Sequence, residues 1–459
     1  MLKTISPIDN TTYVERDYAT SSEIENTLNI SKKALLNWSQ TPLMYRKIIL
    51  TKFVDLFLHN NIEIEEELCK QMGRPISQCS GEMNGFEERA RYMIEKSEKA
   101  LEKIVSKKDN EFDNFIIKDP LGTIFIIAPW NYPYNTSVNS IVPSLLSGNT
   151  VVLKHSSQTP LCAEQLFKAA KLSGLPEGVF QFLHLDHKST SNIIADERID
   201  HVLFTGSVSG GRQVKKAIGE RFINAGLELG GKDPAYVRKD CNLQHAIENL
   251  ADGSFYNSGQ SCCGIERIYV DGEIYNDFID GIKTFTEKYI LDDPLKSETT
   301  LGPVVKLSAA KSIRSQVKEA ISNGAKDIIS KSNFKIAEES NCYVSPSVLV
   351  DVDHTMNFMI EETFGPTVGI MKVNNENEAA KLMNDSPYGL TACIWTSDKE
   401  FAQNFGPKIN TGTFFMNRCD YLDPGLAWTG VKNTGTGVTL SVLGFNHVTR
   451  AKSYHYRTI

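Results

Sequence analysis

Apolar residues recur at helical spacing through the first hundred residues. Ser21 or Ser22 is placed to cap a helix carrying Ile24, Leu28 and Leu35-Leu36. Pro42 to His59 sets Ile48, Ile49, Phe53, Leu56 and Phe57 on one face. A third helix is expected from about Ile62 to Met72, stopping at Gly73, and a long one from Glu82 to Leu101. The charged stretch Glu102 to Asp113 reads as a solvated turn. At Phe115 the period changes. Phe115 to Lys118, a turn at Pro120-Leu121-Gly122, and Thr123 to Ala128 predict a strand, a turn and a buried strand.

From there strands and helices alternate. Strands are expected at Thr150–Leu153, Val179–Leu183 and His201–Phe204, with helices from Thr159-Pro160 to about Gly174 and from Ser207 to Ile218. A second series follows near Asp240. It has helices at Asn242–Tyr256, Glu273–Lys288 and Ser308–Asn323. Its strands are Arg267–Val270, Ser347–Val350, Thr367–Met371, Thr391–Trp395 and Gly412–Met416. Such alternation predicts an α/β fold in which crossover helices cover parallel sheets, a dinucleotide-binding class of architecture. No good GxGxxG fingerprint follows the first strand, so an orthodox Rossmann motif is not supported.

Composition narrows the function. A chain of 459 residues is too long for one compact core. The formal net charge of −7 argues against nucleic acid or an anionic membrane surface as the main partner. Nine cysteines without regular spacing suit a reducing compartment better than a disulfide frame, and no zinc-type spacing appears, so no metal site is expected. The first residues lack a signal-peptide apolar core and no apolar run reaches membrane-spanning length, which makes the cytosol the expected compartment.

The stretch Phe255-Tyr256-Asn257-Ser258-Gly259-Gln260-Ser261-Cys262-Cys263 puts a thiol on a tight loop after an amphipathic helix. Gly259 permits the turn, and Cys262 is the candidate nucleophile. Three further motifs accompany it: Ala128-Pro129-Trp130-Asn131-Tyr132-Pro133, Phe204-Thr205-Gly206-Ser207, and Glu228-Leu229-Gly230-Gly231-Lys232. In this order, from about Pro7 to Lys452, they resemble the aldehyde dehydrogenase superfamily. The resemblance implies a Rossmann-like cofactor domain (residues 1–109 and 128–235), an α/β catalytic domain (236–438) and a small β oligomerisation element (110–127 and 439–459). It also implies a homodimer or homotetramer acting on a small-molecule aldehyde.

It further implies roles for single residues. Cys262 attacks the aldehyde. Asn131 and the cysteine backbone N–H hold the oxyanion, and Glu228 activates the water that hydrolyses the thioester. Pro129, Trp130, Lys154, Ser157, Gly206, Ser207, Leu229, Glu362 and Phe364 are expected against NAD or NADP. The resembled ribose segment commonly reads K-P-x-E, whereas here it is Lys154-His155-Ser156-Ser157. Ser157 removes a carboxylate that would repel a 2′-phosphate, so NADP tolerance is expected. Trp428 and Tyr256 are expected to line the substrate pocket and to favour apolar or aromatic aldehydes of modest size. The succinic semialdehyde branch often carries an arginine where Tyr256 stands. Rival readings are that branch, a CoA-acylating enzyme, and a silent member of the fold. The presence of Glu228 weighs against the acylating reading, and Cys262, Glu228 and Asn131 together weigh against the silent one.

Overall fold

The computed structural model describes all 459 residues. Two mainly parallel sheets carry the molecule. The six-stranded sheet runs in the order Gly435–Thr436, Ala225–Glu228, His201–Thr205, Thr123–Ile127, Thr150–Lys154, Phe180–Phe182. Its first strand in sequence, Thr123–Ile127, lies in the middle. The next two strands add on one side, and His201–Thr205 adds on the other. Strand order therefore reverses between Thr123–Ile127 and His201–Thr205. The loops leaving these two strands are Ala128-Pro129-Trp130-Asn131 and Gly206-Ser207. A crevice at such a switch point is where open α/β sheets bind ligands. The seven-stranded sheet runs Lys326–Asp327, Ser347–Val350, Thr367–Val373, Ile265–Asp271, Asp233–Val237, Thr391–Trp395, Thr413–Met416, parallel except at its first strand. A separate antiparallel sheet pairs Thr449–Arg457 and Ile104–Lys108 with the two edges of Phe112–Pro120.

Several elements differ from expectation. The chain opens with a hairpin, Leu2–Ile5 with Thr12–Arg16, before its first helix. That helix, Ser21–Trp38, is capped by Thr20, whose hydroxyl accepts from the Glu23 N–H while the Glu23 carboxylate returns to the Thr20 N–H. The long helix begins at Ile76, six residues before Glu82. Glu102 to Asp113 is no solvated turn, because Ile104–Lys108 is an edge strand. Three strands cross the expected domain boundaries. Thr123–Ile127 and Gly435–Thr436 belong to the six-stranded sheet, and Ile104–Lys108 belongs to the small one. Edge strands show weak alternation, and a two-residue strand shows none, so periodicity had nothing to register there.

The helix Pro133–Leu146 follows the switch-point loop and lies almost wholly buried. Its N-cap residue, Tyr132, supplies no side-chain hydrogen bond. Glu82, from the helix Ile76–Ala100, does so instead. Its Oε1 accepts from the N–H groups of Tyr134 and Asn135, both at 2.9 Å. These are orphan donors of a helix N-terminus, which a carboxylate both satisfies and stabilises. The other oxygen of Glu82 pairs with Arg74, and both side chains are fully buried. Arg74 also donates to the Asn131 carbonyl and, at 3.2 Å, to Asn257 Oδ1. One guanidinium thus ties the long helix, the switch-point loop and the cysteine loop together. Removing one partner of a buried pair strands the other charge. Glu82→Gln should therefore destabilise the protein by about 3–5 kcal/mol, read as a lowered urea midpoint. A midpoint equal to wild type would show that the pair gives no net stability.

Candidate active site

The cysteine loop leaves the helix Leu243–Phe255 through a short helical turn, Tyr256–Gly259. Asn257 (φ 52°) and Ser258 (φ 55°) are held in the left-handed region, a cost that surrounding contacts must offset. The Asn257 amide donates to the carbonyls of Asn131 and Gln260, both at 3.2 Å. The Ser258 hydroxyl donates to the Gly302 carbonyl at 2.8 Å, and Gln260 Oε1 accepts from Val305 N–H at 2.8 Å. Gly259 (φ 72°) has no room for a side chain, since a Cβ would come within 2.1 Å of the Gly365 carbonyl oxygen. The loop is therefore over-determined, and it presents Cys262, partly exposed, to a cavity of about 340 Å³.

Cys263 is different. It is buried, and its thiol lies 3.0 Å from Asp420 Oδ1. The adjoining Cys262 thiol and burial push its pKa well up, so it stays a neutral thiol.

Asn131 is buried and donates one amide proton to the Gln260 carbonyl at 3.2 Å. An amide NH2 has two protons, so one remains for an oxyanion. Glu228 ends its strand with Oε1 accepting from Thr439 at 2.5 Å and Oε2 from Thr205 at 3.1 Å. Burial raises its pKa against both hydroxyls. Its carboxylate borders a narrow cavity beside Thr205 and Thr439, separate from the one that holds Cys262.

The second large cavity, about 610 Å³, lies at the carboxyl end of the six-stranded sheet and is bordered by Lys154, Phe204, Ser207 and Gly210. Ser207 caps the helix Val208–Ile218, accepting from Gly210 N–H at 3.1 Å. N–H groups at a helix N-terminus favour a phosphate. Lys154 has no ion pair, and burial pulls its pKa down to about 8. A cation without a partner beside a helix N-terminus fits the diphosphate and ribose of a dinucleotide. Ser157 is exposed, its carbonyl accepts from Thr4 at 2.9 Å, and it does not border this cavity. Trp130 meets Phe364 edge-on at 5.6 Å. The Phe364 turn (φ 55°) is held by Glu266, which accepts from the N–H groups of Thr363 and Phe364 and pairs with Lys232 at 2.5 Å. Glu362 accepts from Gly231 N–H at 3.0 Å, and burial pushes its pKa up to about 8. Leu229, buried, packs below the strand that carries Glu228.

The substrate side is corrected by the structure. Trp428 is buried with Cys263, Leu390 and Leu440 behind the cysteine loop and does not border the cavity. Tyr256 does border it, donating to the Gln78 carbonyl at 3.1 Å. The walls are mixed, with Arg89, Asn135, Asp252 and Asp420 set among Tyr132, Tyr421 and Leu422. Arg74, Glu82, Arg89, Lys232 and Glu266 carried no expected role in the sequence, and Asp420 stood out only as part of a polar and aromatic stretch before Trp428. Lys232 closes a motif that was read only for its glutamate and glycines. Arg74, Glu82, Arg89 and Asp420 lie in helices or loops, and Glu266 in the strand Ile265–Asp271, where a charged residue has no local signature of its role.

The chain matches the model of the aldehyde dehydrogenase family over residues 1–454. It is 31% identical to the succinate-semialdehyde dehydrogenase [NADP(+)] of Deinococcus radiodurans, covering 98% of this chain and 93% of that one. It is 30% identical to the 3-sulfolactaldehyde dehydrogenase of Priestia megaterium, covering 92% and 88%. The structure of succinic semialdehyde dehydrogenase from Streptococcus pyogenes with NADP+ superposes with a TM-score of 0.95 at 27% identity over the whole of both chains. The parallel sheets, the cysteine loop and these matches agree, and the chain belongs to the aldehyde dehydrogenase family.

Proposed function

We propose that the protein oxidises an aldehyde to its carboxylic acid with NAD or NADP, using Cys262 as nucleophile. The observation that carries this reading is the over-determined loop that leaves Cys262 partly exposed at a substrate-sized cavity while its neighbour Cys263 is buried. Cys262 attacks the carbonyl carbon as its thiolate, and the resulting oxyanion accepts hydrogen bonds from the free amide N–H of Asn131 and the Cys262 N–H. A single preorganised donor of this kind is worth about 3–4 kcal/mol. When bound, the nicotinamide supplies a hydride acceptor. Lys154, Ser207 and the helix it caps, with Glu362, Trp130 and Phe364, would hold the dinucleotide. Glu228 then takes the proton of the water that opens the Cys262 thioester. Its raised pKa makes it a stronger base than an ordinary carboxylate, and this favours hydrolysis over transfer to CoA.

We place the oligomer contact on the three-stranded sheet, where Ile104, Val105 and Tyr456 leave apolar surface exposed. Light scattering should give a dimer or tetramer for the wild type and a smaller species for Ile104→Lys/Val105→Lys. A monomeric wild type would remove this assignment.

Cys262→Ala should abolish cofactor reduction, while Cys263→Ala retains turnover. Iodoacetamide should label Cys262 first in peptide mapping. Full activity of Cys262→Ala would refute the nucleophile.

Glu228→Gln should slow hydrolysis more than hydride transfer. Rapid mixing should then show a burst of reduced cofactor about equal to the enzyme sites, followed by slow turnover. In wild type the hydrolytic rate should rise with pH through a value above the usual glutamate range, because only the ionised carboxylate accepts the proton. Steady-state rates unchanged by the substitution would assign the base elsewhere.

A further inference from the structure

Arg89, on the helix Ile76–Ala100, is a buried cation without an anion. It is only 9% exposed and forms no salt bridge. Nη1 donates to the Asn135 carbonyl at 3.1 Å. Nε and Nη2 have no protein acceptor, and neither is sealed from the cavity that Arg89 shares with Cys262. Glu82, the carboxylate with the strongest pull on it, has both oxygens committed to Arg74 and to the N–H groups of Tyr134 and Asn135. Burial pulls the Arg89 pKa down, yet a guanidinium remains charged at any ordinary pH. A desolvated charge left unpaired is costly in the empty site and is relieved when a ligand brings the counter-charge.

The acids of the cavity do not supply that counter-charge. Asp420 accepts from the Ser261 hydroxyl at 2.7 Å and from the Cys263 thiol, and burial raises its pKa. Asp252 lies at the open mouth, where loss of water and the nearby Asp420 push it up to about 6. Glu88 is on the rim and accepts from the Tyr421 hydroxyl at 3.1 Å. None of the three forms an ion pair with Arg89.

We propose that Arg89 reads the end of the substrate remote from the reacting carbon, and that this end is an anion with two or more oxygens on one centre, a carboxylate or a sulfonate. The two free N–H groups, Nε and Nη2, lie along one edge of the guanidinium and match such a group in a two-point fork. Tyr256 of the cysteine loop brings no charge to this cavity, and the long helix provides the cation. The assignment rests on the aldehyde-oxidising reading above, because it is Cys262 that gives the ligand its other end.

The test compares 4-oxobutanoate, 3-sulfopropanal, neutral butanal and cationic 4-aminobutanal as substrates for wild type, Arg89→Lys and Arg89→Gln. Wild type should favour one or both anionic aldehydes over butanal, and which of the two leads separates carboxylate from sulfonate. In Arg89→Gln, kcat/KM for the favoured anion should fall by roughly 30-fold more than kcat/KM for butanal, the scale expected when one side of a buried charged contact is truncated. The loss should lie mainly in KM, and Arg89→Lys should recover part of it. Equal falls for anionic and neutral aldehydes, or a wild-type preference for 4-aminobutanal, would overturn the assignment. A second measurement needs no turnover. Succinate should slow the alkylation of Cys262 by iodoacetamide in wild type and not in Arg89→Gln. If wild type oxidised no aldehyde, the proposed reaction would fail, and this protection would still decide the anion site. Absence of protection in wild type would remove it.

Discussion

Arg74 and Glu82 have left water altogether, and a charge pair in that position survives only if every remaining hydrogen-bonding group also finds a partner. Here those partners are parts of the proposed catalytic centre. The Asn131 carbonyl, the Asn257 side chain and the N-terminus of the helix Pro133–Leu146 complete the shell of the ion pair. The loops of the site are consequently fixed from beneath, by buried charged groups. The same logic recurs at Lys232 and Glu266, which hold the left-handed turn at Phe364. Each buried pair converts two or three backbone segments into one rigid unit. The proposed nucleophile and oxyanion donor, Cys262 and Asn131, stand on the first of those units.

The two thiols show how much position matters at equal chemistry. Cys262 and Cys263 are adjacent in sequence and follow the same glycine. Cys263 turns inward to Asp420 and packs with Trp428, and its proton is held there. Cys262 turns outward into the cavity. A single peptide unit decides which sulfur meets the solvent and which belongs to the core.

The sheets were legible in the sequence because buried parallel strands are short apolar runs between turn residues, as at Thr123–Ile127 and Thr150–Lys154. The motif residues were legible because glycines and a thiol at fixed spacing have few other uses. The N-terminal hairpin and the strand Ile104–Lys108 were not, since an exposed edge strand is mostly polar. Trp428 was misplaced for a related reason. A tryptophan fills a substrate wall or a core equally well, and only the path of its backbone, bridged to Thr439, decides between them. Arg74 and Glu82 look like ordinary members of a charged helix region. Nothing local marks them as buried, because their partners lie up to 183 residues away.

That separation bears on how the molecule comes to life after synthesis. Residues 74, 82 and 131 all lie in the first third of the chain, but Asn257 reaches Arg74 only after both halves of the chain have been made and have docked. Contacts of such span close late, since the entropy of the intervening loop must be met first. A partly folded chain can therefore own its helices, its first sheet and even a reactive sulfur, and still lack the left-handed turn that aims it. The arrival of catalytic competence marks the moment when the two halves recognise each other.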